Sequence, residues 1–139
     1  MFKRIMAPVD LLHLGILDRA LKVAAEEARH HGVPVVYVTV TANTPGPLGH
    51  TPEEKQVKLD SFAAEQAEKF GIEASGHLIL AHDPRADIDR ILTEAADEVG
   101  ADLVVMASHK PNVADYFWPS NGGSVAGHAG VSVFIVRDN

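Results

Sequence analysis

The sequence predicts an α/β fold in which a five-stranded parallel sheet, forming a single domain over residues 1–139, is covered by helices on both faces. Short apolar runs rich in β-branched residues alternate along the chain with longer segments whose apolar residues recur every three or four positions. Glycine or proline separates most of these segments. The chain has 139 residues, 46% of them hydrophobic, which is enough for one domain with one core.

The first strand and the first helix come from the amino-terminal segment. The run Ile5–Val9 is apolar and predicts a buried parallel strand, with Pro8 near its end. A helix is predicted over Leu14–His31, because its leucines and alanines form one apolar face, and Gly32 is expected to end it. Asp10 therefore follows the carboxyl end of the first strand.

The middle of the chain begins with a second strand, predicted over residues 35–40 from its β-branched content. Residues 43–50 contain two prolines and two glycines and predict a loop. A helix is expected to start directly after it, with Thr51 as N-cap, Pro52 at the first helical position and Glu54 at the third.

The second half continues the same alternation. A weaker third strand is predicted over His77–Ala81, followed by a helix that Asp83 begins and Gly100 ends. Apolar runs at Leu103–Met106 and Val131–Val136 predict the fourth and fifth strands. A fourth helix is expected between them, so the strands can all run parallel.

Composition limits the classes of function. The net charge of −7 disfavours a nucleic-acid surface, which needs a basic patch. No apolar run approaches the roughly 20 residues that span a bilayer. The chain has no cysteine, and its first residues lack the apolar core of a signal peptide, so a cytoplasmic location is expected.

Three stretches in the observed order resemble the universal stress protein family. They are KRIMAPVD at residues 3–10, ADLVVMASH at 101–109 and HAGVSVFIVR at 128–137. The resemblance extends over the whole chain and implies an adenine nucleotide alpha hydrolase-like fold with strand order 3-2-1-4-5. Strands one and four would then be neighbours at a topological switch point, where doubly wound sheets bind ligands.

The phosphate side of the family's site is altered in this sequence. Nucleotide-binding members carry Gly, two residues, Gly, nine residues, Gly, then Ser or Thr. Here Ala107, Lys110, Ser120 and Asn121 occupy those positions. A gapped alignment would instead use Gly123-Ser124, but it leaves too few residues for a crossover helix, which needs about a dozen residues with its loops.

We therefore favour the ungapped register. Ser120 is then an N-cap, and the backbone N–H groups after it face an anion. The resemblance implies two groups of ligand contacts. The base and sugar side comprises Pro8, Val9, Asp10 and Val40. The phosphate side comprises Met106, Ala107, Ser108, His109, Lys110, Ser120, Asn121, Gly122 and Gly123.

Individual residues in this set have a second interpretation. Asp10 could equally be a turn or helix-capping residue, and Val40 is also compatible with a core position. The histidines show no metal-ligand spacing, and no set of catalytic residues stands out. We expect neither a metal site built by the protein nor efficient turnover.

The functional expectation is a universal stress protein that binds ATP with Mg²⁺ and acts as a stress-response regulator or sensor. AMP or ADP fits the same pattern. The alternative is a nucleotide-free dimeric interaction module that regulates a partner such as a transporter or an enzyme. In both cases the resemblance implies a homodimer through the last strand, whose two faces are both largely apolar.

Overall fold

The computed structural model describes residues 1–108, 125, 127 and 130–137, and it shows a sheet of five parallel strands. The spatial order of the strands is β3-β2-β1-β4-β5. The strands are β1 Ile5–Pro8, β2 Val35–Ala42, β3 Ala74–Ala81, β4 Leu103–Ala107 and β5 Ser132–Val136. The helices with described bounds are α1 Leu14–His31, α2 Pro52–Phe70 and α3 Pro84–Glu98. The predicted fold class and strand order are confirmed.

The predicted fourth helix lies mostly outside the described residues. Of the segment between β4 and β5, Val125 and Gly127 are described as helical, and Val125 is fully buried. Both alignments of the glycine-rich segment place these two positions in a helix, so they do not decide between the registers.

Two strands are longer than the sequence predicts by two or more residues. β3 begins at Ala74 rather than His77, and β2 continues to Ala42. Alanine, serine and glycine at the start of β3 have weak strand propensity. They are extended because they pair in register with the first residues of β2, from Val35 to Tyr37. Tertiary pairing overrides local propensity here.

The predicted helix start at α2 is confirmed in detail. The Glu54 N–H donates to Thr51 Oγ1 over 3.1 Å, and Glu54 Oε2 accepts from the backbone N–H groups of His50 at 2.6 Å and Thr51 at 3.3 Å. These two backbone donors hold the pKa of the Glu54 carboxyl below its ordinary value. The capping box therefore fixes where loop 43–50 joins the helix.

The core lies on both faces of the sheet. Every residue of β1 and β4 is buried, as expected for central strands. Right-handed crossovers place α1 and α2 on one face and α3 on the other, with α1 against β1 and β4, α2 against β3, and α3 against β2. Among the described residues, no helix combines the length and apolar character that crossing a bilayer requires.

Candidate functional site

A cavity of about 250 Å³ opens at the carboxyl ends of β1 and β2. Such clefts beyond the strand ends are where doubly wound sheets hold ligands. Five elements form it: the end of β1 with the turn that follows, the end of β2, loop 43–50, the start of α2, and one face of α3. Its lining residues are Pro8, Val9, Asp10, Leu11, Leu12, Val38, Thr39, Val40, Thr41, Ala42, Thr44, Pro45, Gly46, Pro47, Leu48, Lys55, Ile88 and Leu92.

The four residues predicted for the base and sugar side all line this cavity. Pro8, Val9 and Asp10 come from the end of β1, and Val40 comes from β2. The ends of β1 and β2 are joined there by a hydrogen bond, in which the Val9 N–H donates to Val38 O over 2.8 Å. Thr39 Oγ1 also donates to Val9 O over 3.1 Å in a buried position. The structure thus brings the predicted group together.

Asp10 is a buried turn residue as well as a cavity residue, with 8% of its surface exposed. Its Oδ1 accepts from the Leu12 N–H over 3.0 Å, and its Oδ2 lies 2.8 Å from His13 Nδ1. α1 begins after His13, not Asp10, so Asp10 is not its N-cap. The turn interpretation of Asp10 is therefore compatible with its position at the cavity.

Val40 presents backbone groups to the cavity. In a strand, the N–H and C=O of alternate residues point to the same side. Val35 donates its N–H to Glu73 O next to β3, whereas Val38 O accepts from Val9 on the β1 side. The backbone N–H and C=O groups of the even-numbered residues in β2 therefore point toward β1. Because β1 ends at Pro8, no described strand continues alongside Val40.

Loop 43–50 forms the outer wall of the cavity, and the sequence analysis assigned it no function. Gly46 and Gly49 exchange two backbone hydrogen bonds of 3.0 and 3.1 Å, which close a turn around Pro47 and Leu48. Leu48 is buried. A Cβ atom at Gly49 would lie 3.3 Å from the Lys55 backbone nitrogen, so the loop sits tightly on the first turn of α2.

Lys55 is the second feature that the sequence analysis missed. Only 2% of it is exposed, and it lines the cavity. Its Nζ donates to Ala42 O and Thr44 O, each over 2.7 Å, and lies 3.4 Å from Thr41 Oγ1. Helical periodicity could have indicated its burial, because Lys55 lies four residues before the buried Leu59 on one face of α2.

The residues predicted for the phosphate side divide into two sets. Met106, Ala107 and Ser108 lie at the carboxyl end of β4, on the other side of β1 from β2, and none of them lines the cavity. The Ser108 N–H is already used, since it donates to Val136 O over 2.9 Å. The remaining six lie outside the described residues: His109, Lys110, Ser120, Asn121, Gly122 and Gly123.

Most of the cavity wall is apolar, and its polar groups converge at two points. The Asp10 carboxylate lies at the β1 end, and the Lys55 ammonium lies at the loop end. Within the described ranges, no three histidine, aspartate or glutamate side chains come together as a metal site would require. Such a cavity suits a flat, mostly apolar group that carries a few hydrogen-bonding atoms.

The fold and the cleft define this chain as a doubly wound α/β protein with a ligand cavity beside its first strand. A family model described as "Universal stress protein family" matches residues 1–137. The chain belongs to the universal stress protein family.

Relatives and solved structures agree with this assignment. Universal stress protein G of Escherichia coli O157:H7 is 27% identical over 148 aligned residues, which cover 99% of this chain and 100% of that protein. A universal stress protein from Archaeoglobus fulgidus is 28% identical with a TM-score of 0.66, over 97% of this chain and 98% of that one. A structure of the Archaeoglobus fulgidus protein in complex with dAMP is 29% identical with a TM-score of 0.63, over 96% of both chains.

Proposed function

We propose that this protein is a cytoplasmic stress-response regulator that binds an adenine nucleotide, namely ATP together with Mg²⁺. It acts as a regulator through its nucleotide-bound state. The proposal rests on the backbone N–H and C=O groups of Val40. Its N–H and C=O face a mostly apolar cavity where β1 has ended. A neighbouring donor and acceptor match N1 and N6 on the Watson–Crick edge of adenine.

The size of the cavity supports a site in which the cavity holds only part of the nucleotide. Its volume of about 250 Å³ is smaller than the roughly 300–1,000 Å³ of a site that encloses a whole drug-sized ligand. It suits the base and the sugar. The phosphates would then extend past β1 toward the end of β4 and the start of the fourth helix. The dAMP complex of the Archaeoglobus fulgidus protein makes an adenine nucleotide the first ligand to test.

The proposal is tested by calorimetry with ATP and Mg²⁺, and by mass spectrometry of any nucleotide released when the purified protein is denatured.

Two variants test the phosphate side. In the ungapped register, Gly122→Val is expected to weaken ATP binding at least about tenfold, since a branched side chain hinders the approach of phosphate to the backbone. Ser124→Ala is the matched control and is expected to leave affinity within about twofold, because Ser124 then lies inside the helix.

The outcomes separate the two alignments and the two functions. Loss of binding in Ser124→Ala with a silent Gly122→Val would show that the gapped register is right. An absence of adenine nucleotide binding at millimolar concentration would contradict the proposal. The nucleotide-free interaction module would then take its place, in agreement with Ala107 and Lys110 at two glycine positions of the motif.

We also propose a homodimer through β5. This strand is last in the sheet order, so its outer edge pairs with no described strand. Two large apolar side chains on it are exposed, Phe134 by 42% and Ile135 by 39%. An apolar edge strand invites pairing with a second copy, and a two-fold dimer closes that interaction. The dimer surface is also where a regulated protein partner could sense the nucleotide state.

Ile135→Lys is expected to convert the dimer to a monomer, because each copy would place a charge at the paired edge. Leu80→Lys is the matched control, since Leu80 is 42% exposed on β3, at the opposite edge of the sheet. It should remain dimeric. Light scattering at micromolar concentration measures both. A monomeric wild type, or dissociation by Leu80→Lys alone, would place the interface elsewhere.

A further inference from the structure

Lys55 is a buried cation that no described carboxylate neutralises. None of the ion pairs formed among the described residues includes it. Its contacts are the neutral oxygens of Thr41, Ala42 and Thr44. Removing an ammonium from water is costly unless strong acceptors surround it. Within the described part of the chain, Lys55 therefore gives the loop end of the cavity a positive charge that no carboxylate compensates.

The three donors of Lys55 are not equally engaged. Two of them make strong hydrogen bonds of 2.7 Å, to Ala42 O and Thr44 O. The third reaches Thr41 Oγ1 only over 3.4 Å, which is beyond the usual range for such a bond. Because Lys55 and Thr41 both line the cavity, this third N–H can turn to a ligand while the other two still hold the loop.

The direction of β2 orients a bound adenine relative to this donor. Within one residue of a strand, the C=O lies on the C-terminal side of the N–H. If the Val40 N–H donates to N1 and the Val40 C=O accepts from N6, the N6 end of the base points toward Ala42. N7 is the next acceptor around the ring.

Distances along the strand agree with this orientation. The backbone groups of Val40 and Ala42 point to the same side of β2, and two residues of a strand span roughly 6.6 Å. Ala42 O is the atom that accepts from Lys55 Nζ. The span leaves room for N6 and N7 side by side, followed by one hydrogen bond to the ammonium.

We infer that Lys55 is a specificity-determining residue that donates a hydrogen bond to N7 of the bound adenine. The inference rests on the proposed function, because it concerns the same cavity and ligand. A donor that carries a charge recognises an unprotonated ring nitrogen and disfavours a base that lacks it. Lys55 and Val40 together then read two adjoining edges of the purine.

The test is calorimetry with AMP, 7-deaza-AMP and 3-deaza-AMP. Wild type should bind 7-deaza-AMP about tenfold to a hundredfold more weakly than AMP, as expected when a hydrogen bond to a charged group is lost. 3-deaza-AMP keeps N7 and is the matched ligand control, so its affinity should stay within about threefold of that of AMP.

Two variants assign the effect to Lys55. Lys55→Met removes the ammonium and keeps a long side chain, so it should lose affinity for AMP and bind AMP and 7-deaza-AMP equally. Lys55→Arg keeps the charge and should retain part of the preference for N7. Thermal unfolding verifies that both variants are folded. Comparing ratios of affinities removes any effect of a displaced loop, since such an effect weakens all ligands alike.

The outcomes distinguish this inference from the proposed function. If wild type binds AMP and 7-deaza-AMP equally, or if Lys55→Met weakens both by the same factor, the inference is overturned and the proposed function stands. If 3-deaza-AMP is the weak ligand, the base lies the other way round and the inference also fails. If wild type binds neither AMP nor ATP at millimolar concentration, the proposed function fails and the inference fails with it.

Discussion

Gly100→Pro is expected to destabilise the fold by at least about 3 kcal/mol, the largest effect we expect from a single substitution outside the cavity. Gly100 has a φ of 72°, which proline cannot adopt. Its N–H also donates to Asp97 O over 3.1 Å, and proline has no such donor. Val99 in front of it has φ −85° and ψ −5°, a helical conformation that a following proline disfavours.

The surroundings of Gly100 leave little room for an alternative conformation. The Ala101 N–H donates to Ala96 O over 2.9 Å, and Arg4 Nη1 donates to Val99 O over 2.8 Å. This end of α3 leads directly into β4. A displaced turn would therefore shift the start of a central strand, whose residues are all buried.

Thermal unfolding measures the effect, and a drop of the melting temperature on the order of 10 °C is expected for a domain of this size. Gly100→Asn is the matched control. Asparagine tolerates positive φ and keeps the N–H, so it should cost less than Gly100→Pro, even though its Cβ atom would lie 3.2 Å from Arg4 Nη1. Nucleotide binding by the folded fraction should be unchanged, because Gly100 lies at the amino end of β4 and the cavity at the carboxyl ends. An unchanged melting temperature for Gly100→Pro would contradict the helix boundary.

Wild-type protein is expected to lose about 2–3 kcal/mol of its free energy of unfolding between pH 10 and pH 12 through one residue, Tyr37. Tyr37 is fully buried in β2, with its ring edge-on to Phe62 at 5.1 Å. Burial raises the pKa of its hydroxyl from 10.0 to about 12. This hydroxyl finds no hydrogen-bond partner among the described residues.

The sign of the effect follows from these two pKa values. Above pH 10 the unfolded chain releases the Tyr37 proton, whereas the folded chain retains it until about pH 12. The contribution to stability is therefore complete below pH 10, and it declines as the pH rises through this window. Above it both states are ionised, and the contribution is gone.

Tyr37→Phe isolates the contribution of this residue from other alkaline titrations. Urea unfolding of both proteins from pH 8 to pH 12 gives their difference in stability. Below pH 10 the variant should be at least as stable as wild type, since an unpartnered buried hydroxyl has been removed. The difference should then grow in favour of the variant as the pH rises. Two curves that stay parallel through the window would mean that the pKa of Tyr37 is the same in the folded and unfolded chains, which would contradict the prediction.

Local sequence determined most of the described helix ends, because each of these is encoded within a few adjacent residues. The capping box at Thr51, the Asp83 carboxylate that accepts from Ala86 N, and the positive φ of Gly32, Gly71 and Gly100 were all predictable on this basis. The central strands were also predictable, since burial on both faces requires continuous apolar runs. The strand order, in contrast, came from family resemblance and not from any local pattern.

Only the tertiary structure decided how far the edge strand extends and how the cavity is formed. β3 gains its first three residues by pairing with β2, and a weak local sequence gives no sign of a distant partner. The hydrogen-bond partners of Lys55 are a second feature that local sequence does not predict. A lysine on a helix is usually solvated, and the three oxygens that bury its ammonium come from positions 11, 13 and 14 residues earlier in the chain. A helical pattern can indicate which way a side chain points, but the acceptors that surround its charge depend on where a separate strand and loop have folded.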